Sequence, residues 1–175
     1  MMRKPAILML AGLLWSGAAQ ACSCAGTTSF ADLVKRSELV VEGRVTRVAG
    51  HTYNHWDVAF QVTRTLKGKA PTRIHISDPM MCYTSIEPGE MEQGASYVIV
   101  LQPLDREVMS RQEKSTVPAF QTATCAETAL LREGDKLYTF ERAKTSPYAP
   151  QKKFYANYQD FIKTLPQAPG AQTKP

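Results

Sequence analysis

The chain has 175 residues, four cysteines and a formal charge of +5, the size of one domain with a sizeable core. Its basic residues are scattered and usually have acidic neighbours, which excludes the clustered basic stripe of a nucleic-acid groove. No stretch approaches the roughly 20 apolar residues that cross a bilayer, so no membrane span is expected.

Residues 1–21 have the three parts of a secretory signal: Arg3 and Lys4, an apolar run from Ala6 to Trp15, and small Ala19 and Ala21 around Gln20. Cleavage after Ala21 makes Cys22 the first mature residue and lowers the formal charge from +5 to +3. A thioether lipid on Cys22 is the competing reading and would anchor the chain to a membrane. The Ala-Gln-Ala step suits the ordinary signal peptidase better. A secreted or periplasmic protein is therefore expected, folded as one domain over residues 22–165 with a disordered tail over 166–175. That tail holds three prolines, and no large apolar residue follows Leu165.

Ser29 caps a short helix whose Phe30, Leu33 and Val34 share one face. Glu38 to Val48 alternates as a half-buried strand, with Val41, Gly43 and Val45 inward and Glu42, Arg44 and Thr46 outward. A turn over Gly50 to Asn54 leads to a second strand with Trp56, Val58, Phe60 and Val62 on one side, making a long hairpin. Lys67-Gly68-Lys69 is a break, and Thr72 to Ser77 is a third strand with Ile74 and Ile76 inward. Asp78 to Gly94 reads as a loop carrying Cys82. Tyr97 to Leu101 is apolar throughout and reads as a central strand covered on both faces. Asp105 to Ser115 is loop, Thr116 to Thr124 a weak extended stretch, and Ala126 to Arg132 a helical turn. Lys136 to Glu141 is a last short strand, and Tyr155, Tyr158, Phe161, Ile162 and Leu165 form a closing amphipathic helix. The sum is mainly β: a five-stranded antiparallel barrel of the oligonucleotide/oligosaccharide-binding (OB-fold) type, with flanking helices and disulfide staples.

Export places Cys22, Cys24, Cys82 and Cys125 where disulfides persist. Of three pairings, one would close the strained Cys22 to Cys24 ring. The other two both tie the N-terminus to the middle and later chain, each bridge contributing about 4 kcal/mol in a loop-entropy account. Two staples on a terminus that would otherwise fray suggest that its shape matters.

The start Cys22-Ser23-Cys24, directly after a cleavage site, resembles the N-terminal, netrin-like domain of the tissue inhibitors of metalloproteinases, whose mature chains begin Cys-x-Cys. The likeness continues through the helix, the hairpin and the Leu66-Lys67-Gly68 step, which is similar to that family's Phe-Lys-Gly. It extends through Cys82, the Gly94 to Leu101 strand and Cys125, and covers residues 22 to about 130. The resemblance implies the barrel, the pairings Cys22–Cys82 and Cys24–Cys125, a zinc metalloprotease as partner, and action as a monomer. A third disulfide and a Cys-rich C-terminal domain are absent, and Ala25-Gly26 departs from the family's small polar residue and Pro.

The α-amine and carbonyl oxygen of Cys22 can form a five-membered chelate with a metal. A catalytic zinc with three protein ligands keeps a position open for water. Cys22 could occupy that position and displace the nucleophile of hydrolysis. Ser23 would then enter the pocket just past the scissile bond. Cys24 and Ala25 continue this edge, and Met80, Met81, Cys82 and Tyr83 supply the other half of an inhibitory ridge.

Two rival readings carry different tests. Cys22, Cys24, Met80, Met81 and Cys82 could gather around Cu(I), which requires free thiols. Tyr53 and Trp56 near the hairpin tip could serve a barrel that binds peptide or glycan. His51 and His55 lie four apart in a turn, a spacing that does not bring them together, and His75 reads as solvent-facing. No catalytic triad order, phosphate loop or carboxylate pair stands out, so neither enzyme activity nor a cofactor of its own is expected.

Overall fold

The first helix or strand among the described residues is a capped helix. The computed structural model describes residues 28–51, 55–78, 90–103, 118–122, 126–143 and 146–165. Helix α1 spans Phe30–Arg36, where the Ser29 hydroxyl oxygen accepts from the Asp32 N–H at 3.2 Å and the apolar face Phe30, Leu33 and Val34 is buried. Its last carbonyls accept from the Lys67 ammonium, at 2.9 Å for Val34 and 3.1 Å for Lys35. Lys67 thus closes the helix end that an α-helix leaves unbonded.

Among the described residues eight strands follow: β1 (Leu39–His51), β2 (His55–Lys67), β3 (Arg73–Asp78), β4 (Ser96–Pro103), β5 (Ala119–Gln121), β6 (Ala129–Glu133), β7 (Lys136–Ala143) and β8 (Ser146–Asn157). Helix α2 (Tyr158–Thr164) closes the described chain. β1 pairs with both β2 and β4, and the order β1-β2-β3-β5-β4 returns to β1, so five strands form a closed barrel. Alternating directions cannot close a ring of odd number, and one parallel seam results, between β3 and β5. The barrel is therefore antiparallel at every other pair, an order compatible with the OB-fold type. Strands β6, β7 and β8 extend the sheet from β4 as an antiparallel meander.

Gly43 lets β1 and β2 approach closely, beside the register shift between Glu42 and Gly43. A Cβ there would stand 2.2 Å from the Gln61 carbonyl oxygen and 2.5 Å from the Phe60 ring, so no larger residue fits at this crossing. Gly68 has φ +77°, and a Cβ would meet the Glu38 carbonyl oxygen at 2.2 Å. The break expected at Lys67-Gly68-Lys69 is this left-handed turn.

The pleat divides the apolar residues between two cores. Inside the barrel lie Val41, Val45, Val58, Phe60, Ile74, Ile76, Tyr97, Ile99 and Leu101. Val40, Val98, Val100, Leu130 and Leu137 point outward and are covered by α1 and α2 through Phe30, Leu33, Tyr158 and Phe161. Strand β4 is thus buried on both faces, as its continuous apolar run implies.

Several expectations are corrected. Ala126 to Arg132 is not a helical turn: Ala126 forms an isolated bridge, and β6 lies between β4 and β7. Its helix-forming Ala-Leu-Leu-Arg-Glu is overruled by two flanking ladders. Of the weak extended stretch Thr116 to Thr124, residues 118–122 are described, and they include the three-residue strand β5. Tyr155 belongs to β8, a strand the sequence pattern does not announce, and the closing helix starts at Tyr158. His75 is half-buried on β3 rather than solvent-facing. No described helix is long and apolar enough to cross a membrane.

Candidate functional site

Cys22, Ser23, Cys24, Ala25, Met80, Met81, Cys82, Tyr83 and Cys125 lie outside the described residues, as do Tyr53 and both disulfide pairings. What the structure describes is the frame from which each of these segments leaves. Because β3 and β5 run parallel with Ser77 opposite Gln121, the chain leaves both strands side by side and in the same direction. The first exit leads to Cys82, five residues past Ser77, and the second to Cys125, four residues past Gln121.

The N-terminal segment arrives at the same edge. Thr28 forms a parallel bridge with Ala126, the residue after Cys125. The Glu127 N–H donates to the Thr28 carbonyl at 3.0 Å. One residue past Ser29, the Phe30 N–H donates to the Glu127 carboxylate at 3.2 Å. On the far side of β5, Gln121 pairs with Gln102 of β4, and the Val100 N–H donates to the Thr128 carbonyl at 2.8 Å. Gln121 and Thr128 are thus both registered to β4. Thr122 and Thr128 both have buried hydroxyls with no hydrogen-bond partner among the described residues. One rim of the barrel thus collects the C-terminal ends of β3 and β5 and the bridge of Thr28 to Ala126.

The frame behind this rim is aromatic. Phe30 of α1 meets Phe161 of α2 at 5.8 Å between ring centroids and Tyr155 of β8 at 6.1 Å. These pairs couple the helix after the N-terminal segment to the end of the chain.

The sequence reading missed a polar cluster beneath α2. The alternation of β1 puts Glu42 on an outward strand face, and Tyr158 of α2 helps to bury it to 6% exposure. Its carboxylate accepts from the Tyr158 hydroxyl and pairs with the Arg132 guanidinium. That guanidinium lies over the Tyr158 ring at 3.7 Å from its centroid. Burial, then the bond to Glu42, holds the Tyr158 phenol above its ordinary pKa. Burial likewise raises Tyr155. The local signal was Val40, apolar on the same outward face two residues before Glu42, which marks that face as covered. In this arrangement the cluster locks α2 to β1 and β6.

The register sets the backbone of His51 opposite that of His55 at the hairpin end, closer than a spacing of four in a turn suggested. Trp56 pairs through its backbone with Asp78 at the end of β3. Among the described residues no group of three or more His, Cys, Asp or Glu side chains could hold a metal ion. No protein-family model matches the chain, and no curated protein is similar enough in sequence to count as a relative.

Proposed function

We propose that this chain is an exported inhibitor of zinc metalloproteases, in the manner of the N-terminal domain of the tissue inhibitors that its start resembles. In this reading the signal is removed after Ala21, and the free amine and carbonyl of Cys22 chelate the zinc of a target protease. The water that hydrolysis needs is thereby displaced. Ser23 occupies the pocket beyond the scissile bond, and Met80, Met81 and Tyr83 complete the contact ridge. Disulfides Cys22–Cys82 and Cys24–Cys125 hold this edge in its bound shape before binding, which lowers the ordering cost of association.

The observation that carries the proposal is the shared rim. Parallel β3 and β5 release the segments leading to Cys82 and Cys125 side by side, and Thr28 bridges the residue after Cys125. A cross-linked N-terminus on a closed barrel is what a rigid wedge requires, and this topology supports it.

The test compares mature protein beginning at Cys22 with the same protein extended by one Ala, against a panel of zinc metalloproteases. Extension removes the chelating amine and leaves the barrel untouched. Inhibition by the first form alone is expected. Inhibition by neither form, or equally by both, rejects zinc chelation at Cys22. Thiol titration of the mature protein should find no free thiol, whereas two or more would favour the Cu(I) reading.

A further inference from the structure

We propose that the outer face of the sheet binds an acidic, extended peptide segment of a partner protein through arginines that the register gathers across five strands. The proposal does not rest on the inhibitory reading. Successive ladders set Arg73 of β3 opposite Gln61 of β2, Gln61 opposite Arg44 of β1, Arg44 opposite Ser96 of β4, and Ser96 opposite Arg132 of β6. Their chain neighbours Ile74, Phe60, Val45, Tyr97 and Leu131 belong to the barrel core, so the pleat turns all five residues of the row outward. Arg44 and Arg73 are exposed, and Gln61, Ser96 and Arg132 are half-buried. Arg64, also exposed, stands opposite Glu42 and beside the row. Four arginines that lie far apart in the chain thereby share one surface.

The charge on this surface is unbalanced. Glu42 is buried and pairs with Arg132, while no ion pair among the described residues engages Arg44 or Arg73. A guanidinium presents a planar fork that meets a carboxylate through two parallel bonds, which an ammonium cannot do. Between the forks stand neutral groups: the Gln61 amide, whose N–H donates to the Thr72 carbonyl at 2.9 Å and whose oxygen is left to accept, and the Ser96 hydroxyl. A matching ligand carries carboxylates at intervals and N–H donors between them, which a peptide supplies. A nucleic-acid backbone has no N–H donor, and single strands need aromatic platforms that the row lacks. Strands lie 4.7–4.9 Å apart, so arginines on every second strand recur at about 9.6 Å along the sheet, and every third residue of an extended peptide recurs at about 10 Å. Recognition of acidic motifs by arginine clusters is an established mode of peptide binding.

The probe is a fluorescein-labelled peptide with Glu at every third position of a Ser- and Gly-based chain, titrated with the full mature protein and read by anisotropy. Wild type should bind it, and the affinity should fall as salt is added. An exposed ion pair contributes up to about fivefold, so Arg44→Gln combined with Arg73→Gln should weaken binding by about tenfold or more. Lys35→Gln combined with Lys69→Gln removes the same charge from α1 and from the turn after β2, and should leave binding within about twofold of wild type. Arg44→Lys combined with Arg73→Lys keeps the charge, loses the forks and should still weaken binding by about threefold. All six positions changed are exposed side chains, and thermal unfolding verifies that each variant is folded.

Absence of binding by the wild type overturns the proposal, and so does binding that survives Arg44→Gln with Arg73→Gln. An equal loss in Lys35→Gln with Lys69→Gln reduces the effect to net charge and overturns the row. Full binding by Arg44→Lys with Arg73→Lys overturns recognition by the guanidinium fork. A thymidine oligonucleotide or dextran sulfate that binds more tightly, with the same dependence on Arg44 and Arg73, assigns the surface to another polyanion and overturns the peptide. Extension of the N-terminus by one Ala leaves the row intact, so a failure of zinc chelation and a failure of this surface are read separately.

Discussion

Replacing Tyr158 with Phe removes one oxygen from the cluster that locks α2 and leaves the ring in place. The hydroxyl donates to the Glu42 carboxylate, and Glu42 is only 6% exposed, so water cannot readily take the vacated position. Hydrogen bonds to a charged group contribute about 1.5–3 kcal/mol. Arg132 remains paired with the same carboxylate, which limits the loss to about 2 kcal/mol on that scale. The Arg64 contact to the hydroxyl, at 3.4 Å, is too long to add much. For a domain of this size, about 2 kcal/mol corresponds to a fall in Tm of about 4–8 °C. Thermal unfolding followed by circular dichroism measures it, with guanidinium titration to verify an unchanged m-value. A Tm within about 1 °C of wild type would show that the hydroxyl adds nothing and that packing of the ring alone holds the helix.

Gly43→Ala should destabilise the barrel by about 2 kcal/mol or more, since its Cβ would lie 2.2 Å from the backbone oxygen of Gln61, which cannot rotate away. A denaturant midpoint equal to wild type would contradict the close crossing. Thr139→Val should stabilise the protein by about 1 kcal/mol, because the Thr139 hydroxyl is buried without a partner among the described residues and Val keeps the branched shape; a lower Tm would mean the hydroxyl is bonded. Stability should also decline in alkali. Burial raises the pKa of Tyr97, Tyr155 and Tyr158, so their contribution is complete below the unfolded value of about 10 and is lost as pH rises through the higher folded values. Tm measured from pH 8 to 11.5 should fall less steeply in Tyr97→Phe than in wild type, and parallel curves would refute the assignment.

Much of the barrel was legible because its signals are local. Ser29 ahead of the shared face of Phe30, Leu33 and Val34 marks the start of α1, and the structure shows that cap. Period-two alternation located β1, β2, β3 and β4, and the unbroken apolar run of β4 announced burial on both faces. The candidate site was legible only as chemistry: Cys22-Ser23-Cys24 at the expected cleavage site states what could chelate, and nothing local states what stands beside it. Glu127, two residues past Cys125 in a segment read as helical, carries no pattern that marks it as a partner of Phe30.

By itself the sequence determined the periodicity of its strands, the capped helix and the positions of the breaks, since these depend on neighbours within a few residues. Tertiary structure decided the rest. Strand β6 is a strand because β4 and β7 offer it two ladders, against the preference of Ala-Leu-Leu-Arg-Glu. Strand β8 forms through its long antiparallel pairing with β7, although it contains Pro147 and Pro150 and lacks a clear alternation. Closure of β1 on β4, the parallel seam of β3 with β5, and the burial of Glu42 beneath Tyr158 all join residues far apart in the chain. Their free energy arises from surfaces removed from water together, and no short window of sequence contains both surfaces.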